Sequence, residues 1–166
     1  LISGAGKWGR TGMFNHDPIL DRLRIGSCPQ YSDHVDALSQ EGITAVFNAQ
    51  TVEDFSYMDV DWDALSAYYL QRDIIVKRIA VRDFHDDDLQ DKLPACVDAV
   101  AELLGQNHFL YVHCNVGLNR APTVAIAYLH WKLGWDLEQA ERFVGEKRKC
   151  APRMEVIRRA TADLEQ

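Results

Sequence analysis

No stretch of this sequence approaches the roughly 20 consecutive apolar residues that a membrane-spanning helix needs, so we expect no membrane partner. Positive charge is also scarce, because 18 Lys and Arg residues face 25 Asp and Glu residues and give a formal net charge of -7. Binding to a nucleic-acid backbone needs a basic surface, so we expect no nucleic-acid partner.

Cysteine is limited to four scattered positions without metal-ligand spacing, and we therefore expect a reducing compartment, no metal and no other cofactor. The four are Cys28, Cys96, Cys114 and Cys150.

The remaining composition is that of one globular domain. The 166 residues are 47% hydrophobic and 26% charged, which suffices for an independent core. Residues 1–18 are rich in glycine and polar groups, and we expect them to form an N-terminal arm anchored by Trp8 and Phe14. Residues 19–166 contain no internal repeat and no long linker, which predicts a single domain. We also expect the protein to be a monomer.

Strand and helix patterns alternate along the chain. Runs of β-branched and aromatic residues predict strands at 22–26, 43–48, 74–81 and 109–112. Apolar spacing and Pro or Gly boundaries predict helices that begin near residues 32, 61, 93, 122, 137 and 153, with polar loops at 49–56 and 82–88. This alternation predicts an α/β fold with a central, mainly parallel sheet flanked by helices.

A cysteine and an arginine separated by five residues follow the last predicted strand. Pro122 places a helix start directly after this Cys114–Arg120 segment. The backbone N–H groups of such a loop and the positive end of the helix dipole favour an anion, and the same field favours the thiolate form of Cys114. Arg120 can hold two phosphate oxygens with its planar guanidinium. The pattern therefore indicates a nucleophile inside a phosphate site, with phosphate contacts from Asn115, Val116, Gly117, Leu118, Asn119 and Arg120.

A thiolate that attacks a phosphate ester also needs a proton donor for the departing alkoxide, and the acidic loop at 82–88 supplies candidates. Asp86, Asp87 and Asp88 form a charged run that is typical of a solvated loop. Asp83 differs because it follows a predicted strand and lies beside the apolar Phe84, which would favour a protonated carboxyl group. We therefore predict Asp83 as the general acid.

Further motifs accompany this segment. They are Arg82-Asp83-Phe84 with Leu93-Pro94, Tyr111-Val112-His113-Cys114 with Gly117-Leu118 and Arg120-Ala121-Pro122, Ile126-Ala127-Tyr128 with Trp131, the run from Lys147 to Pro152, and the run from Ile157 to Thr161. In these motifs the sequence from about Leu23 to Leu164 resembles the dual-specificity phosphatase domain of the glucan phosphatases, the group of laforin and the plant starch-excess and like-starch-excess enzymes. The resemblance implies a cysteine-dependent dual-specificity phosphatase fold. It also implies that residues 19–166 are the catalytic domain, with C-terminal helices as a glucan-phosphatase tail.

By the same resemblance, Cys114 is the nucleophile, Arg120 the phosphate clamp and Asp83 the general acid. The implied reaction removes phosphate monoesters from starch- or glycogen-like glucans through a phosphocysteine intermediate. Sugar rings stack on aromatic side chains, so we expect Phe84, Tyr57 and Phe14 to bind the glucan. The implied location is a plastid if the source is a plant or green alga and the cytoplasm otherwise, with no transit peptide expected within this sequence.

Two other functions fit parts of the pattern. A dual-specificity protein phosphatase acting on phosphotyrosine, phosphoserine or phosphothreonine would need only the segment Cys114–Arg120. A phosphoglucan-binding adaptor with little activity would need no nucleophile, and the presence of Cys114, Arg120 and Asp83 together argues against it. An inositol-lipid phosphatase would be expected to carry Lys or Arg within residues 115–119, which are uncharged.

Overall fold

The computed structural model describes residues 14–166, and Trp8 lies outside the described residues. Its strands are β1 (His16–Leu20), β2 (Leu23–Gly26), β3 (Ala45–Asn48), β4 (Ile75–Arg78) and β5 (Leu110–His113). They form one sheet in the order β1-β2-β5-β3-β4, in which β1 is antiparallel to β2 and the other neighbours are parallel. This confirms the predicted central, mainly parallel sheet. It also makes β5 the middle strand.

Helices cover both faces of the sheet. They are α1 (Ser32–Gln40), α2 (Val52–Tyr57), α3 (Trp62–Gln71), α4 (Asp86–Gly105), α5 (Arg120–Trp131), α6 (Leu137–Lys147) and α7 (Met154–Leu164). Alternate side chains of β5 point to opposite faces, so Tyr111 packs with the layer of α1, α2 and α3, and Val112 packs with the layer of α4 to α7. Because β2, β3 and β5 are parallel, the loops after them meet at one edge of the sheet.

Strand β1 was not predicted from the sequence. It contains Pro18, which lacks a backbone N–H, and such a residue is tolerated because β1 is an edge strand. The boundary predicted at residue 18 for the N-terminal arm therefore falls inside a strand. Residues 16–18 belong to the sheet.

Two predicted loops are shorter than expected because helices begin inside them. The loop predicted at 49–56 contains α2, whose start is fixed by reciprocal capping between Thr51 and Asp54. The loop predicted at 82–88 ends at His85, because α4 begins at Asp86 rather than near residue 93. Three acidic residues in the first turn of α4 suit the positive end of the helix dipole. Pro94, which the sequence placed near a helix start, lies in the interior of α4.

Candidate active site

The segment Cys114–Arg120 connects β5 to α5 at the middle of the sheet edge, and we call residues 114–119 the phosphate loop. The Cys114 side chain is buried at the start of the loop, and Arg120 is the first residue of α5. In parallel sheets this position, beyond the carboxyl end of a central strand, is where ligands bind.

Every carbonyl oxygen from Cys114 to Leu118 accepts a hydrogen bond from outside the phosphate loop. His113 Nδ1 donates to the Cys114 oxygen at 2.9 Å, and the Cys28 N–H donates to the Asn115 oxygen at 2.8 Å. Arg148 donates to the Val116 oxygen through Nη2 at 3.0 Å and to the Gly117 oxygen through Nε at 2.9 Å. The Ala151 N–H donates to the Leu118 oxygen at 2.8 Å. The C=O and N–H of a trans peptide unit point in opposite directions, so the five N–H groups of residues 115–119 face the interior of the loop. None of them donates a hydrogen bond to any residue from 14 to 166. The five N–H groups are therefore arranged as donors to a single anion.

Gly117 has no space for a side chain. Its φ is +72°, a left-handed conformation that favours glycine. A Cβ atom there would lie 2.5 Å from the Gly26 carbonyl oxygen and 2.6 Å from Arg148 Nη2. The glycine thus lets Arg148 and the end of β2 approach the loop from outside.

The Arg120 guanidinium is 2% exposed and only partly satisfied. Its Nη1 donates to Asp54 Oδ2 at 2.7 Å and to the Val81 carbonyl oxygen at 2.6 Å. Its Nε and Nη2 have no hydrogen-bond partner among the described residues, although Nε lies 3.4 Å from Asp83 Oδ1. A buried N–H without a partner is costly, so these two donors point to an anion that binds there.

Asp54 connects Arg120 to the phosphate loop. Its Oδ2 also accepts from the Thr51 N–H at 2.9 Å, and its Oδ1 accepts from Asn115 Nδ2 at 2.9 Å. Burial would raise the pKa of this carboxyl group, but the hydrogen bonds from Arg120, Thr51 and Asn115 outweigh burial and lower it. Asp54 is therefore an ionised partner that holds the arginine and the loop together. The sequence analysis missed it.

His113 organises the loop as a neutral hydrogen-bond donor. Burial, with a smaller contribution from the positive charge of Arg120, lowers its pKa to about 4. Because the Cys114 carbonyl oxygen can only accept, the proton of the neutral imidazole lies on Nδ1.

Asp83 and Phe84 line a cavity of about 410 Å³ together with Asn119 of the loop and Arg120. The cavity is lined by Arg82, Asp83, Phe84, His85, Asp86, Asp87, Leu89, Asn119, Arg120 and Arg153. Phe84 is 85% exposed, and its φ of +60° is unusual for a residue with a side chain. This ring therefore lines the cavity with most of its surface exposed to solvent.

Two of the other three acidic candidates, Asp86 and Asp88, are engaged elsewhere, while Asp87 lines the cavity with Asp83. Hydrogen bonds from Arg153 lower the pKa of Asp86 and outweigh the opposing effect of burial. Burial would raise the pKa of Asp88, but hydrogen bonds from the Arg82 N–H and Lys92 lower it. Both carboxylates belong to the first turn of α4, and neither retains a proton readily. Of the acidic candidates, Asp83 is the one that the structure places within 3.4 Å of Arg120.

The two remaining predicted aromatic residues do not line this cavity. Tyr57 is 70% exposed at the end of α2. Phe14 is partly buried, and its ring stacks on His34 with centroids 4.4 Å apart and an interplanar angle of 14°. Phe14 thus already uses a ring face within the fold.

No cluster of three or more His, Cys, Asp or Glu side chains in residues 14–166 is arranged to hold a metal ion. In the same part of the chain, no helix has the length and apolar character to cross a membrane.

The family model of the dual-specificity phosphatase catalytic domain matches residues 23–160. The phosphoglucan phosphatase DSP4, amyloplastic, of Castanea sativa is 36% identical over 152 residues, which are 90% of this chain and 40% of that protein. The phosphoglucan phosphatase LSF1, chloroplastic, of Arabidopsis thaliana is 32% identical over 149 residues, which are 90% of this chain and 25% of that protein. This chain therefore spans less than half the length of these two relatives.

A solved structure supports the fold. The crystal structure of Tk-PTP in its active form superposes with a TM-score of 0.73 at 21% identity, covering 90% of this chain and 95% of that one.

Proposed function

Because this chain belongs to the dual-specificity phosphatase family, we propose that it removes phosphate monoesters from starch- or glycogen-like glucans. The observation that carries the chemistry is the pair of buried donors on Arg120 that have no partner among residues 14–166, beside five inward-facing loop amides and the Cys114 thiol. The support for a glucan substrate is the sequence similarity to two proteins named as phosphoglucan phosphatases. The exposed Phe84 ring, which lines the cavity, gives a surface that a sugar ring could contact.

In the proposed reaction the Cys114 thiolate attacks the phosphorus atom of a bound monoester. An S–P bond forms, the P–O bond to the sugar breaks, and Asp83 gives its proton to the departing oxygen. The loop amides and the Nε and Nη2 groups of Arg120 hold the three phosphate oxygens during transfer. Water then attacks the phosphocysteine while the Asp83 carboxylate takes a proton from it. This step releases inorganic phosphate and restores both the thiolate and the protonated acid.

The glucan contacts that we propose are Phe84 and Tyr57, whose rings are 85% and 70% exposed. Phe14, which the sequence also suggested, uses one ring face to stack on His34, and we leave it out of the proposed stacking surface. Soluble maltodextrin should therefore bind the protein and compete with phosphoglucan through Phe84 and Tyr57.

The test is phosphate release from phosphorylated starch and glycogen compared with a panel of phosphotyrosine, phosphoserine and phosphothreonine peptides. Faster release from the glucans, with maltodextrin binding measurable by calorimetry, would support the proposal. Faster release from the peptides without maltodextrin binding would show a protein phosphatase instead. Binding of phosphoglucan without turnover would show an adaptor.

We also propose a plastid location if the source is a plant or a green alga. The two relatives are named as amyloplastic and chloroplastic proteins, and the phosphatase family itself does not specify a compartment.

A further inference from the structure

The side chain of Arg148 donates two of the five hydrogen bonds that the carbonyl oxygens of the phosphate loop accept from outside the loop. The other three donors are two backbone N–H groups and the neighbouring His113. Arg148 is the C-cap residue of α6, and it is 4% exposed. Its Nη2 donates to the Val116 carbonyl oxygen and its Nε to the Gly117 carbonyl oxygen. The central peptide unit of the loop and the unit after it are thus held from outside by this single guanidinium.

The third nitrogen of the guanidinium connects Arg148 to β1. Nη1 donates to Asp17 Oδ2 at 3.0 Å, and the Asp17 side chain is 43% exposed. The guanidinium plane is therefore fixed from both sides, by the loop and by the first strand. The absence of a side chain at Gly117 allows this contact, because a Cβ there would lie 2.6 Å from Arg148 Nη2.

The direction of a carbonyl group determines the direction of the N–H in the same peptide unit. The unit that carries the Val116 oxygen also carries the Gly117 N–H, and the unit that carries the Gly117 oxygen also carries the Leu118 N–H. Both units are trans, so outward carbonyls require inward N–H groups. A guanidinium can bond two neighbouring carbonyls at once, whereas the lysine ammonium is a point charge without this fork geometry.

We propose that Arg148 is a positioning residue, which aims the Gly117 and Leu118 N–H groups at the phosphate by holding the carbonyls of Val116 and Gly117. It does not touch the substrate. This inference rests on the proposed phosphatase chemistry, but not on the identity of the substrate's sugar or peptide. If one loop N–H no longer points at the bound oxyanion, its charge-assisted hydrogen bond is lost and the affinity falls about tenfold. Loss of both hydrogen bonds would lower the affinity by roughly a hundredfold at most.

The test compares the wild-type chain with Arg148→Lys and Arg148→Met, using sodium tungstate as the oxyanion. Calorimetry should show tungstate binding about tenfold to a hundredfold weaker in both variants, and kcat/KM on an aryl phosphate should fall in parallel. In nuclear magnetic resonance spectra, tungstate should shift the Gly117 and Leu118 amide protons in the wild type and much less in Arg148→Lys. A purely structural role would lower the melting temperature without changing these signals. Arg158→Met is the matched control, since Arg158 is an exposed arginine of α7 paired with Glu138 and Glu155, and tungstate binding should be unchanged.

A separate variant tests whether the carbonyl contacts or the contact with β1 matter. Asp17→Asn removes the ion pair but leaves both carbonyl bonds, so its tungstate affinity should stay within about threefold of the wild type. Equal losses in Asp17→Asn and Arg148→Lys would overturn the proposal, and so would wild-type affinity in a folded Arg148→Lys. If Arg148→Met does not fold, Arg148→Lys and Asp17→Asn decide alone. A wild-type protein that binds no tungstate would overturn both proposals, whereas inactivity on glucan alone would overturn only the proposed substrate.

Discussion

Replacing Asp54 with asparagine tests how Arg120 is held for phosphate binding. The carboxylate accepts from Arg120 and the Thr51 N–H through one oxygen, and from Asn115 Nδ2 through the other. Asparagine keeps the shape of the side chain but has only one carbonyl oxygen. In either orientation its NH2 group therefore faces an N–H donor and cannot accept the hydrogen bond. Arg120 then keeps its hydrogen bond to the Val81 carbonyl oxygen, at 2.6 Å, and the longer contact to Asp83, at 3.4 Å.

The expected cost can be worked out from the burial of the pair. Removing one partner of a buried ion pair costs about 3–5 kcal/mol, and the remaining contacts of Arg120 with Val81 and Asp83 argue for the lower end, about 3 kcal/mol. The pKa of Asp54 is lowered in the folded protein, so its contribution to stability is complete above the ordinary value of about 3.9 and is lost as the pH falls through the lower folded value. At pH 7 the variant should therefore show the full loss.

Urea unfolding at pH 7, followed by tryptophan fluorescence, measures the loss of unfolding free energy in Asp54→Asn. Turnover of an aryl phosphate by the same variant should fall at least about tenfold. The matched control is Asp36→Asn. Asp36 accepts from Tyr68 Oη and Arg72 Nε but is 37% exposed, so the variant should lose less than about 1 kcal/mol and keep its activity. An Asp54→Asn protein that unfolds within about 1 kcal/mol of the wild type and turns over normally would refute the reasoning.

Three further predictions concern single residues. Asp83→Ala should slow release from a glucose phosphate ester by about a hundred- to ten-thousandfold but slow an aryl phosphate much less; equal losses would rule out a general acid. Phe84→Ala should lower glucan activity several-fold to tens-fold and spare the aryl phosphate, while Leu70→Ala, another exposed apolar residue, should change neither. The pKa of His113 is about 4 in the folded protein and about 6.5 in the unfolded chain, so the unfolded chain binds more protons below about pH 6.5. The free energy of unfolding should therefore fall by about 2 kcal/mol between pH 7 and pH 5. An unchanged value in urea titrations would contradict the buried, neutral state of His113.

The phosphate loop was predictable because its signal is local in sequence. Cys114, Gly117, Arg120 and Pro122 lie within nine consecutive positions, between a recognisable strand and a recognisable helix. The same holds for the sheet, because buried runs such as residues 43–48 and 109–112 differ clearly from their polar surroundings. Asp83 stood out in the sequence as a residue after a predicted strand and beside an apolar residue, and the structure places it 3.4 Å from Arg120. The strand before it ends earlier than predicted, at Arg78, and its role as general acid stays a prediction.

Asp54 and Arg148 could not be found in this way, since their partners are distant in sequence. Asp54 contacts Asn115 and Arg120, which are 61 and 66 positions away, and Arg148 contacts Asp17 across 131 positions. Locally, Asp54 is the third residue of a short helix with a capping role, and Arg148 is one of several cations before Cys150. The one available signal was the Thr51-to-Asp54 spacing of a capping box, which predicts α2 but not its contact with the loop.

The most direct test of the central claim compares phosphate release from phosphorylated glucan by the wild-type chain and by Cys114→Ser, with binding measured in parallel. A serine hydroxyl is far less ionised than the cysteine thiol, while Arg120 and the loop amides remain in place. We expect release by the wild type, less than about 1% of that rate in the variant, and similar phosphoglucan affinity in both. Release by Cys114→Ser at a rate close to that of the wild type would contradict a phosphocysteine intermediate.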